Sequence, residues 1–504
     1  MGPRPLSGRF TQLLGGAVQA RGLIPLCALL LTTSAAAAPA LSGALDVAVD
    51  AQLEVLSATT CLSQATPGRF APMMRGARAF LLRARTVPEG RVLALEEGAF
   101  MLPAKVRCFA IEVAIGRLAR EARDRDLGSK QGEALVLAPD VWLWLPRPQP
   151  EALSAAIAPA GGFTPPITGQ GALELRVRFH LPPGVEVALP WPEKNGEFLV
   201  PPSAYDWQGA MVLGHFGRFA RPIPGGVIEV ITLGELRASE DALSRWATSA
   251  ASAVSTVLGR FPESRALVLV EPSFTLSGDP VVFGEALRGG GATVRALVSR
   301  SAAGQSFLGE WVLVHELSHF LFPFVEQDGA WLSEGLATYY QNVLRARQGL
   351  LSEREAIQRL EEGFQRGRDN AASDAVALEQ ASTEMHARAA YMRVYWTGAA
   401  VSLLADVELR AAGKGSLDEA VRAVQPLRRA ARERVPTAEV LGGLDSASKT
   451  GVFARLARDC VGSKRFPDVA AAYRALGVAV KDGEVSLSSD PKAVALRAAI
   501  FGPR

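Results

Sequence analysis

The chain has 504 residues, 48% hydrophobic and 21% charged, a balance that allows a sizeable core and excludes wholesale disorder. Lys plus Arg number 54 against 51 Asp plus Glu, a formal charge of +3; without a long basic run this excludes a polyanion binder and a nucleic-acid partner. Gly 48 and Pro 32 follow no period, and there are only four Cys, so collagen-like, low-complexity and disulfide-dense classes are out.

The N-terminus has the order of an export signal. Arg4, Arg9 and Arg21 precede the apolar run Leu23-Ile24-Pro25-Leu26-Cys27-Ala28-Leu29-Leu30-Leu31, the small residues of 35–40 follow, and no acid occurs before Asp46. Residues 1–40 are expected to be a signal peptide cleaved near Ala40, which predicts a periplasmic or extracellular protein. A retained anchor is the alternative, although the apolar run falls short of the about 20 residues of a span. No later apolar run is long enough, so no membrane span is expected in the mature chain. Cleavage would leave Cys61, Cys108 and Cys460. They read either as a Cys61–Cys108 bridge plus one thiol or as three buried thiols.

From residue 41 to 236 the dominant period is two. Apolar and polar residues alternate strictly over 173–181 (LELRVRFHL), the pattern of a strand buried on one face. Residues 135–137, 141–145 and 227–233 read as further strands between Pro- and Gly-rich turns. A helix over 109–123 is expected to interrupt them. His180, on the polar side of its strand, and His215, between glycines, read as surface residues. At Ser239 the period becomes helical. Ser239 is an N-cap with Glu240 and Asp241 behind it, Leu243, Trp246, Ala247, Ala250, Val254 and Val257 share a face, and Gly259 can close the helix. A strand is predicted over 266–270. An extended segment over 292–298, after Gly289-Gly290-Gly291, is expected to be an edge strand. From 306 onward helix dominates, including 352–366 and most of 436–504.

The chemistry is concentrated between 311 and 340. In WVLVHELSHFLFP, His315 and His319 are four apart, so on a helix both imidazoles leave one face and can grip one metal ion. Glu316 lies beside that face. In WLSEGLATYY, Glu334 follows and can supply a carboxylate from a second helix. Two His and one Glu leave the fourth tetrahedral position open, the catalytic rather than the structural zinc arrangement. The flanking Trp311, Val312, Val314, Leu317 and Phe320 predict a buried helix, where two imidazoles and a carboxyl are costly without a partner such as a metal. One Zn2+ per chain is therefore expected on His315, His319 and Glu334.

HELSH followed by WLSEGLATYY resembles the thermolysin-like zinc peptidases (gluzincins), and among them the glycyl-aminopeptidase family. Tyr395-Trp396-Thr397-Gly398-Ala399-Ala400 resembles that family's tyrosine-bearing helix, residues 413–420 the stretch after it, and 453–478 its C-terminal helices. The likeness runs from about residue 260 to the end. It departs from the family pattern in a shorter gap between His319 and Glu334, in Thr397 where Lys is usual, and in lacking a C-terminal PDZ module. The resemblance implies an α+β multidomain chain: signal peptide 1–40, N-terminal β-sandwich-like domain 41–236, thermolysin-like α/β catalytic domain 237–425 and C-terminal helical region 426–504.

It also implies a metallopeptidase acting on peptide or protein substrates, as an aminopeptidase or an endopeptidase. Glu316 would serve as general base and acid, and Tyr395 would donate to the oxyanion, with Tyr391 and His386 as further donors. Where the family carries a Gly-x-Glu-His substrate segment, Phe283-Gly284-Glu285-Ala286 and Gly289-Gly290-Gly291 stand here. Glu285, Gly290 and Gly291 are the candidate substrate-binding residues. Glu285 would hold a free amino group in an aminopeptidase, and the triple glycine reads equally as a turn. The alternatives are an inactive peptidase-fold binding protein and a zinc hydrolase of a non-peptide substrate.

Overall fold

The computed structural model describes residues 41–147, 173–274, 278–373, 375–430 and 434–503, so the expected signal peptide lies outside the described residues. From Ala40 onward the chain forms one compact unit. Its N-terminal part holds a seven-stranded sheet and two four-stranded sheets. In the larger sheet Ser42–Val49 pairs in parallel with Glu174–His180, with Leu45 opposite Val177. Along Glu174–His180 the alternation has the expected outcome: Leu175 and Val177 are buried while Glu174, Arg176 and Arg178 are exposed. The core here is aromatic, with Phe70, Phe100, Phe109, Trp142 and Trp144 almost fully buried.

Two elements differ from expectation. The first half of the helix expected over 109–123 is the strand Cys108–Val113, and helix runs only over Ile115–Glu121. That strand pairs on both sides, with Leu56–Leu62 and Leu81–Val87, so sheet pairing overrides the local preference. Residues 141–145 are a 3-10 turn, Pro139–Val141, leading to a short strand, Leu145–Arg147. Val141, Trp142, Leu143 and Trp144 are buried by packing, and Leu145 pairs with Ala71. Cys61 and Cys108 face each other in register on neighbouring strands and are bridged, which decides between the two readings of the cysteines; Cys460 is free and buried.

The sheet that carries the site has the order Gly217–Ile223, Gly226–Thr232, Arg265–Ser273, Ala292–Ser299, Val281–Leu287. Its first two strands precede residue 236. The expected edge strand, Ala292–Ser299, is instead interior, hydrogen-bonded to Arg265–Ser273 and to Val281–Leu287. Its largely buried run suits that place. The two edges are Gly217–Ile223 and, beside the metal helix, Val281–Leu287, whose middle residues are partly or fully exposed. Helix Glu240–Leu258 is bounded as its residues predict: Ser239 Oγ accepts from the Ala242 N–H and Gly259 closes it at φ 77°. The remainder is helical except for a hairpin, Val478–Lys481 with Glu484–Leu487. Among the described residues no helix is long and apolar enough to cross a membrane.

Candidate metal centre and catalytic cleft

His315 and Glu316 lie on the short helix Val312–Ser318, and His319 opens the 3-10 turn His319–Leu321 that continues it. The helix start is held by Glu310, whose carboxylate accepts from the N–H groups of Val312 (2.5 Å) and Leu313 (3.2 Å) and from Trp246 Nε1 (3.0 Å). An anion at a helix N-terminus satisfies otherwise unpaired donors. The turn ends at Phe322, which is extended at φ −128° and ψ 150°, the conformation that Pro323 imposes on the residue before it.

The third ligand comes from helix Ala330–Arg347, and Tyr395 from helix Tyr391–Ala411. These helices meet through two glycines. A Cβ on Gly335 would lie 2.2 Å from Gly398 Cα, and one on Gly398 would lie 1.7 Å from the Trp331 carbonyl oxygen. Gly335 adjoins Glu334, and Gly398 is three residues past Tyr395. The close approach therefore brings the tyrosine over the carboxylate: the Tyr395 hydroxyl helps to lower the Glu334 carboxyl, and its ring stacks on His315 at 5.8 Å.

The donor atoms converge. Ligand atoms of His315, His319 and Glu334 all lie within 4.8 Å of one another. Glu334 Oε2 is 3.4 Å from His315 Nε2 and 3.5 Å from His319 Nε2. Ligands at tetrahedral zinc distances are about 3.3 Å apart, so the spacing fits. Glu334 Oε2 is buried without a hydrogen-bond partner, an unmet need that a cation would satisfy. His315 Nδ1 is 2.9 Å from Gln341 Oε1. With an acceptor there, Nδ1 carries the proton and Nε2 presents its lone pair. Burial pulls the His319 imidazole down to about 4 and so keeps it neutral, as a ligand must be. Burial would raise Glu334, but the imidazoles and the Tyr395 hydroxyl outweigh it and bring the carboxyl down to about 2. Burial pushes Glu316 up to about 7, against the pull of His315 and with the push of Glu334 and Glu285. Tyr395 is raised by burial and then by the same carboxylates.

The edge strand closes one side of the site. A Cβ on Gly284 would lie 2.8 Å from Glu316 Cγ, and the Ala286 N–H acts to lower the Glu316 carboxyl. Because side chains alternate along a strand, Glu285 leaves the opposite face. There it is 4.0 Å from Arg295, which is itself bonded to Glu271 at 2.8 Å and lies 3.7 Å from Asp126 of the N-terminal part. Burial, then Asp126, raises the Glu285 carboxyl. Trp311 is exposed at the mouth, its ring 6.1 Å from His315. Tyr391 lies farther out, bonded to the exposed His386 at 3.0 Å and 6.4 Å from the Tyr395 ring.

Gly290 and Gly291 are not brought to the metal site. They have φ of 85° and 140°, and a Cβ on Gly290 would lie 1.9 Å from Trp191 Nε1. The triple glycine is thus a turn that lets the N-terminal part pack closely. His180 and His215 are also remote from the cluster; His180 is exposed and bonded to Asp46 at 2.8 Å. Sequence reasoning missed Gln341, Glu310 and Gly284. Gln341 alone had a signal, being two helical turns beyond Glu334 on the same face.

Residues 323–403 match the family model described as M61 glycyl aminopeptidase. That span holds Glu334 and Tyr395, and the two histidines lie just before it. Among solved structures, an aminopeptidase N family protein from Idiomarina loihiensis is similar at 14% identity and a TM-score of 0.65, covering 87% of this chain and 79% of that one. It shares the multidomain α+β fold. A mutant M1 zinc metallopeptidase from Deinococcus radiodurans bound to a Tyr-Ser-Ala substrate is similar at 16% identity and a TM-score of 0.49, covering 85% of this chain and 94% of that one. No curated protein matches.

Proposed function

We infer that this zinc metallopeptidase, similar to the glycyl-aminopeptidase family, is an exported enzyme that removes single residues from the free N-termini of peptides. The observation that carries peptidase chemistry is the convergence of His315, His319 and Glu334 with Glu316 and Tyr395 beside them. Those three side chains would hold a zinc ion, which would supply a Lewis acid and make hydroxide available near neutral pH.

The remaining work falls to the chain. Glu316, packed against Gly284 of the edge strand, takes the proton of the attacking water and returns it to the leaving amine. Tyr395, stacked on His315, donates to the oxygen of the scissile carbonyl as negative charge develops there. The edge strand Val281–Leu287 has one free side, to which the substrate backbone adds in extended form. The exopeptidase reading is supported by the likeness of residues 323–403 to glycyl aminopeptidases; Glu285 faces Arg295, 4.0 Å away, on the side of the strand opposite Glu316 and does not contribute to it. Export is supported by the N-terminal pattern and by the Cys61–Cys108 bridge, which belongs to an oxidising compartment.

Mass-spectrometric cleavage profiling of a mixed peptide library tests this reading, with Glu316→Gln as control. Loss of single N-terminal residues by the wild type alone is expected. Internal cuts would replace it with an endopeptidase. No cleavage by metal-loaded protein would favour a binding protein or a hydrolase of another substrate class.

A further inference from the structure

A cavity of about 550 Å³ lies apart from the metal centre, and none of His315, Glu316, His319, Glu334 and Tyr395 lines it. Five arginines do: Arg260, Arg265, Arg288, Arg428 and Arg429. Two of them are neutralised. Arg265 is paired with Glu229, and Arg428 with Glu263 at 2.6 Å. Arg288 has no carboxylate partner among the described residues. Its guanidinium donates to the carbonyl oxygens of His319 and of Phe322 (3.0 Å) and lies against the Phe320 and Phe324 rings at 5.8 and 5.3 Å. Arg260 and Arg429 make no ion pair or side-chain hydrogen bond among the described residues. Of the lining acids, Glu263 is taken by Arg428, and the buried Asp206 acts on Arg147.

Among the described residues, three guanidinium charges therefore remain without a carboxylate partner around one concavity. Its other walls are prolines and the aromatic pair Trp207 and Phe324, 4.8 Å apart. Apolar walls focus such a field and raise the local concentration of anions. Guanidinium forks match the paired oxygens of carboxylates and phosphates, and the volume is that of a small-ligand site. Gly290 and Gly291 form part of the wall, with the Gly290 N–H held by Ser203 Oγ at 3.2 Å. We propose that this cavity binds an oxyanion, either the carboxylate of a peptide or a free phosphate-type anion, at the seam between the N-terminal part and the catalytic sheet. The site does not depend on the peptidase reading.

The test is calorimetric titration of the full chain with inorganic phosphate, against sodium chloride at matched ionic strength. Saturable one-to-one binding is expected. The double variant Arg260→Gln/Arg429→Gln, which changes two exposed side chains, should weaken it by about tenfold or more, the loss of one charge-assisted contact. Arg260→Lys/Arg429→Lys should recover part of it. Absence of saturable binding, or equal affinity in the Gln variant, overturns the proposal. An N-terminally blocked peptide ending in Glu separates the sources. If it displaces phosphate, the ligand is a peptide carboxylate; if not, it is the free anion. Both results retain the site.

Discussion

Gly335 and Gly398 touch backbone to backbone. A Cβ on the first would be 2.2 Å from the Cα of the second. This contact sets the distance between the helix that bears Glu334 and the helix that bears Tyr395. Gly398→Ala is expected to push the helices apart, costing about 1–3 kcal/mol of stability through overpacking. It should also reduce kcat by separating Tyr395 from the carboxylate. Thermal unfolding and peptide hydrolysis measured on one preparation check both. Unchanged kcat would show that the tyrosine's place does not depend on the contact.

Gly284 stands in the same relation to Glu316. Its missing Cβ would lie 2.5 Å from Val312 Cγ1 and 3.1 Å from Glu316 Oε1. Gly284→Ala should displace Glu316, the proposed general base, by some tenths of an ångström to an ångström and lower kcat by up to about 100-fold. Zinc content should stay at one per chain. Loss of the metal in this variant would mean that the strand supports the ligands rather than Glu316.

Metal binding and proton transfer should separate by mutation. His319→Ala removes a donor that lies 3.5 Å from Glu334 Oε2 and should abolish zinc binding, read by metal analysis after dialysis. Glu316→Gln should retain zinc while hydrolysis falls by about 10²–10⁴-fold. Full zinc in the His319 variant would overturn the ligand assignment.

Tyr395→Phe keeps the ring that stacks on His315 and removes only the hydroxyl. A loss of about 10²–10³-fold in kcat is expected, with KM nearly unchanged, because the hydrogen bond is made to charge that develops in the transition state. A rise in KM at constant kcat would instead assign Tyr395 to substrate binding.

The bridge gives a thiol count. Cys61 and Cys108 are linked, and Cys460 is the free cysteine among the described residues. Exported protein, denatured without reductant, should titrate one thiol if the segment carrying Cys27 is removed, and two if it is retained. Cys61→Ala/Cys108→Ala should lower stability by about 2–4 kcal/mol, as expected for a loop of this size.

Much of the site was legible because its signals are local. His315 and His319 share one helical face by spacing alone with Glu316 beside it, and the helix Glu240–Leu258 begins and ends where its capping residues say. Glu334 was legible for the same reason, although the fold of the turn between the two helices was not. The helix expected over 109–123 failed at its start. Two neighbouring strands, far away in sequence, claim Cys108–Val113 for a sheet, and no short window records a distant pairing partner.

By itself the sequence determined what each element can offer: a pair of imidazoles with a carboxylate, a tyrosine before a glycine, a strand with one wet face. Local periodicity carries that information, because each side chain's direction within an element follows from the backbone repeat. Only the tertiary structure decided which strand is the edge beside the metal helix, that Glu285 faces Arg295 rather than that helix, and that the triple glycine packs on Trp191. Those outcomes depend on sheet order, on a one-residue alternation of faces and on close packing between segments distant along the chain. None of these is expressed until the whole core has assembled.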